Sequence, residues 1–185
     1  MPTELTPQAI ARRAYEAFAP MLGEWRHDEH PEPSLADTVR DKCAARILEQ
    51  DFRDIGIYLI SSDDRGTRIE LGVLVDSIAE LRDHSTEARG TFNAEQLEHE
   101  FEMVKHKNAE SSFLPPPTVL SLPLCLRVAR DLQRKGVEAD AGGLKDLLVA
   151  FTHRLVLQDG NVTAREITVA KEIEEFLTDM ITNAA

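Results

Sequence analysis

Imidazole and carboxylate groups one helical turn apart can chelate a metal, and the sequence offers such a set at Glu95, His99, Glu102 and His106. The spacing i, i+4, i+7, i+11 lays all four along a narrow stripe of one helix, the geometry of a weak, zinc-like surface site. Leu97, Phe101 and Val104 fall on the opposite side of that helix, so the stripe also reads as the solvated face of an amphipathic element. A second donor cluster, His27-Asp28-Glu29-His30, holds the His-Asp pair used by metal-dependent phosphohydrolases. Such enzymes need a further histidine upstream, and none precedes His27. The polar, proline-marked stretch around it, residues 24–33, reads more simply as a connector.

Carboxylates recur in a second pattern. A helix, acidic turn, helix element appears twice, at Asp63 to Leu81 and at Asp159 to Leu177, with one constant offset of 96 residues. The same offset pairs Leu59 with Leu155, Thr67 with Thr163, Glu70 with Glu166 and Val73 with Val169. Thr67-x-x-Glu70 and Thr163-x-x-Glu166 are both capping boxes, in which threonine accepts from a first-turn amide and glutamate reaches back to the cap amide. Asp63 and Asp159 organise the turn ahead of each box through their side chains. An EF-hand reading of Asp159-x-Asn161-x-Thr163 fails, since the loop needs glycine where Ala164 stands and glutamate where Ala170 stands.

The second copy, Leu157-Gln-Asp-Gly-Asn-Val-Thr-Ala-Arg-Glu166, resembles the Asp-Gly-x-(Ile/Val)-x-x-x-Glu turn of TerB-like domains, the family named for bacterial tellurite-resistance clusters. The first copy departs from it, because Asp63-Asp64-Arg65-Gly66 displaces the glycine, and the insert between the copies is longer than the family's pattern. The resemblance spans roughly residues 35 to 181. It implies an all-helical domain with internal pseudo-symmetry, used in stress-response or conflict systems, with no established catalytic activity. It also implies metal binding through acidic residues in some members. Carried onto this chain, the candidate cation ligands are Asp63, Glu70, Asp159 and Glu166, and the cation to expect is divalent, calcium or zinc.

Other chemistry is thinly represented. Cys43 and Cys125 lie on apolar helix faces with no CxxC spacing, which suits small buried hydrophobes in a reducing compartment. Gly142-Gly143 lacks phosphate-loop spacing, and Asp140 ahead of it is a plain helix cap. No nucleophile elbow or Ser-His-Asp signature is visible.

The elements that must carry these residues are helices. Thr6-Pro7 caps a first helix with Ile10, Ala14, Phe18 and Met21 at helical spacing, bent near Pro20 and closed by Gly23. Ser34 starts one long helix or two, with a break expected around residues 49–53, and Ile55 to Ile60 reads as buried helix. Leu71, Leu74, Val75, Ile78 and Leu81 mark the next helix. Asn93 with Gln96 opens another, and Leu114-Pro-Pro-Pro117 is an extended strap. Helices follow at Ser121 to Lys135 with Gly136 as stop, after Asp140, and after the second turn with Ile167, Ala170, Ile173 and Phe176 inward. The expected fold is an all-α bundle of seven or eight helices with an internal pseudo-repeat. Residues 1–33 form an N-terminal helix and polar connector, and residues 34–185 a TerB-like domain with repeats at about 47–82 and 143–181.

Composition sets the partners. A net charge of -12 repels phosphate backbones and anionic lipid, so neither nucleic acid nor membrane insertion is expected. No run approaches the roughly 20 apolar residues of a membrane span, and no basic leader precedes an apolar stretch, so a cytoplasmic protein is expected. The leading functional expectation is a non-catalytic accessory domain that docks a protein partner in a bacterial stress-response or defence-type system, with homo-oligomers open. The alternatives are a divalent-metal-binding stress protein of the tellurite-resistance kind and a metal-dependent hydrolase using a His/Glu cluster.

Overall fold

Helix caps and core packing together decide where each element begins and ends. The computed structural model describes residues 5–28, 31–60, 62, 68–83, 95, 99, 120–158 and 160–182, and among these the chain is all helix and turn with no strand. The helices are α1 (Pro7–His27), α2 (Pro33–Val39), α3 (Ala44–Ile60), α4 (Arg68–Asp83), α5 (Leu124–Arg134), α6 (Ala141–Val156) and α7 (Ala164–Thr182). Glu95 and His99 are also helical and exposed. The rest of the Asn93 helix and the proline strap lie outside the described residues.

Helix α1 begins as its sequence predicts, with Thr6 Oγ1 accepting from the Ala9 amide at 3.2 Å and Pro7 in the first turn. It does not stop at Gly23. It runs through Pro20 to His27, and both Pro20 and Glu16, whose carbonyl loses its usual amide, are exposed, so water can satisfy that oxygen. The extension carries Trp25 into the core at 2% exposure, beside Ile10, Ala14, Phe18 and Leu22 on the same face. Helix α1 packs against α3, α4, α5 and α6.

The break expected around residues 49–53 falls instead at residues 40–43. Pro33, not a residue after Ser34, occupies the first turn of α2, and α3 then runs unbroken from Ala44 to Ile60. Ile55, Ile57, Leu59 and Ile60 are buried helix as expected. Gly56 is there for proximity: a Cβ on it would lie 2.8 Å from both terminal methyls of Leu74, so α3 and α4 meet at that point with room for hydrogen only.

The duplication survives in three dimensions. Ile60 and Val156 close α3 and α6, Arg68 and Ala164 open α4 and α7, and each pair keeps the offset of the sequence repeat. Helix α3 packs on α4 and α6 on α7, giving two helical hairpins. They meet through α3 and α6, where Phe52 and Phe151 stack with centroids 4.5 Å apart and planes inclined at 54°. Helix α5 lies against α1, α2, α3 and α6, and ends in a Schellman motif: Val137 donates to the Leu132 carbonyl at 3.0 Å and Gly136 to that of Gln133 at 3.0 Å, with Gly136 at φ 74°.

Candidate functional site

Thr163 and Glu166 form the capping box that their spacing predicts. The Thr163 amide donates to Glu166 Oε2 at 2.6 Å, and the Glu166 amide donates to Thr163 Oγ1 at 3.1 Å. This fixes the Glu166 carboxylate at 4% exposure against its own helix start. Glu70, its counterpart in the first turn of α4, is 1% exposed. Asp63, Thr67 and Asp159 lie outside the described residues, as do Glu102 and His106 of the histidine stripe. His99 and Glu95 face solvent. His27 is exposed in the last turn of α1, Asp28 pairs with Lys135, and Glu29 and His30 lie outside the described residues. Among the described residues no group of three or more His, Cys, Asp or Glu side chains could hold a metal ion.

What the second turn does present is surface. Leu157 at 56% exposure, Val162 at 38% and Ile167 at 45% all belong to the corner where α6 turns into α7. Helical spacing predicts an inward Ile167; the buried stripe of α7 is instead Val169, Ala170, Ile173 and Leu177, and Phe176 is half-buried. The capping box explains the rotation, since Glu166 must fold back toward Thr163 and so turns inward, leaving its neighbour Ile167 outside. Gly160 takes φ 72° in this turn, a conformation that glycine adopts without strain. Downstream, Glu172, Glu174, Glu175 and Asp179 make the exposed face of α7 acidic, and His153 Nε2 reaches Glu174 Oε2 at 3.2 Å across the hairpin.

Two buried carboxylates, absent from the sequence-based candidates, tie α5 to the helices around it. Asp51 of α3 accepts from the Leu124 amide at 2.7 Å and the Cys125 amide at 2.9 Å, capping α5 from a different helix because Pro123 has no side-chain donor or acceptor to do so. Burial pushes the Asp51 carboxyl up to about 7, against the opposing pull of those two amides. The Cys125 thiol rises too, first through burial and then through Asp51 beside it, so it is poorly ionised. Asp131 Oδ2 accepts from Trp25 Nε1 at 2.8 Å, from Lys135 Nζ at 2.8 Å and from the Glu32 amide at 3.4 Å, tying α1, the connector and α5. Its burial works to raise the carboxyl, but the hydrogen bonds from Lys135 and Trp25 win and the carboxyl lies below its usual range.

A signal for both carboxylates is present in the sequence. Asp51 interrupts the apolar run Ile47, Leu48, Phe52, Ile55, and Asp131 sits beside Val128 and Leu132 on the inward face of α5. A charge on an apolar helix face demands a partner. Which partner each finds depends on long-range packing.

Comparison of the chain with protein-family models, with curated proteins and with solved structures finds no match.

Proposed function

We propose that this chain is a non-catalytic helical interaction domain that docks a protein partner through the corner between α6 and α7. The carrying observation is that Leu157, Val162 and Ile167, three of the five exposed large hydrophobics among the described residues, belong to one corner beside an acidic helix face. Apolar side chains scattered singly over a surface need no explanation, whereas a group rimmed by charge is the usual form of a docking site. Exposed acidic groups on α7 complement a basic partner and steer its approach. The TerB-like turn in the same segment suggests a bacterial stress-response or defence-type setting. No helix among the described residues is long and apolar enough to cross a membrane.

The test is a pair of surface variants, L157E and I167E, compared with the wild-type chain as bait in crosslinking and in sedimentation. Both positions are exposed, so folding stability should change by no more than about 0.5 kcal/mol. The reading expects at least one specific crosslinked partner, or a self-associated species, to be lost in both variants. Identical crosslinking profiles in variants and wild type would sink it, as would robust turnover abolished by one substitution in a pocket.

A further inference from the structure

Helix α5 carries three arginines on one face of an otherwise acidic protein. Arg127, Arg130 and Arg134 stand at i, i+3 and i+7, and with Leu122 and Glu32 they line a pocket of about 260 Å³. Their states differ. Arg127 is engaged, with Nη2 donating to Glu32 Oε1 at 3.3 Å and to Ser34 Oγ at 3.1 Å. Arg130 and Arg134 have no hydrogen bond or ion pair among the described residues, and the Nε of Arg130 is buried with no acceptor.

An oxyanion in the pocket would give the guanidinium groups of Arg130 and Arg134, which line it, the acceptors that the described residues do not supply. Burial lowers the Arg130 guanidinium below its usual range, and neighbouring Arg134 lowers it further while Glu32 opposes both. Two cations held close together on one wall are a standing attraction for an anion. Three arginines against one glutamate leave the lining with a charge of about +2, which matches the dianion of a phosphate monoester better than a single carboxylate. A phosphodiester backbone matches it poorly, since each unit carries one charge and the chain's net charge of -12 repels a polyanion.

We propose that the pocket formed by Arg127, Arg130, Arg134, Leu122 and Glu32 binds a phosphate monoester. Arg130 and Arg134 take its oxygens, Leu122 contacts the ester's carbon side, and Glu32 holds Arg127 in place. The phosphoryl group can be a free small molecule or a phosphorylated side chain of a partner.

Calorimetric titration of the full chain separates these cases, using inorganic phosphate, a phosphoserine peptide and the same peptide unphosphorylated. At a pH of about 7.5, where phosphate is largely dianionic, the proposal expects one saturable site. R130Q and R134Q should each weaken binding about tenfold, and binding should weaken as pH falls below about 6. Trp25 fluorescence checks that each variant is folded. Equal affinity for phosphate and phosphopeptide identifies the phosphoryl group alone as the ligand, and tighter peptide binding identifies a partner-borne one. Absence of saturable binding, equal binding of the unphosphorylated peptide, or folded R130Q and R134Q variants that bind like wild type would overturn the proposal. I167E lies on another helix and should bind phosphate unchanged, so loss of partner docking and loss of phosphate binding are read separately.

Discussion

Asp51 stands at 3% exposure with two backbone amides in front of it, and the balance between those facts sets how its carboxyl answers to pH. Its carboxyl is raised from 3.8 to about 7 in the folded chain. A group raised on folding stabilises most when protonated, so this contribution is complete below about pH 4 and is lost as pH rises through about 7. The full difference is on the order of 4 kcal/mol. Urea unfolding of wild type and D51N at several pH values should show the wild type losing stability relative to D51N between about pH 4 and 7. Parallel curves would show that Asp51 ionises in the folded state without penalty. D51A should cost about 2 to 4 kcal/mol near pH 4, because it strips the acceptors from two buried amides at the start of α5, and that cost should shrink as pH rises toward 7. Asp131 has the opposite sign: its lowered carboxyl stabilises above its unfolded value and loses that contribution as pH falls through the folded one.

At the scale of elements, the second acidic turn separates helix-starting chemistry from metal chemistry. Glutamine can make the same reciprocal bond as Glu166 but is a far weaker cation ligand. E166Q should therefore retain nearly all thermal stability, whereas E166A and T163A should each lose about 1 kcal/mol. Melting curves with and without calcium would read both properties together. If E166Q melted as early as E166A, the box would not be what holds Glu166. Much at this scale is legible in sequence: Thr6 before Pro7, Asp140 before Gly143 and Thr163 with Glu166 all cap as their spacing predicts, because a cap needs only residues within one turn. The elements that depart from expectation are those decided from outside. Pro20 and Gly23 read as a helix end, yet packing of Leu22 and Trp25 against the core carries α1 past them.

At the scale of the whole molecule, α1 packs on both hairpins, since it lies against α3 and α4 of the first and α6 of the second. One continuous core results, running from Ile10 to Leu177. Trp25, the only tryptophan, is buried in it and hydrogen-bonded to Asp131, so its fluorescence reports the seam between α1 and α5. A single core predicts cooperative unfolding, with tryptophan fluorescence and far-ultraviolet circular dichroism giving coincident urea transitions. Two separated transitions would mean that the hairpins unfold independently. F151A should shift both signals together and cost about 3 to 5 kcal/mol, since Phe151 is fully buried and stacks on Phe52 across the hairpin junction.

The amino-acid sequence by itself determined the helical class, the two matching hairpins and the capping box of the second, because periodicity and capping are local. Only the tertiary structure decided which charges became buried hubs, that Ile167 faces out, and that Arg127, Arg130 and Arg134 line one pocket with Glu32. Those outcomes depend on residues about a hundred positions apart, such as Trp25 and Asp131, meeting in the packed core. Helical spacing can put side chains on one face, but what that face meets is settled by how the helices pack.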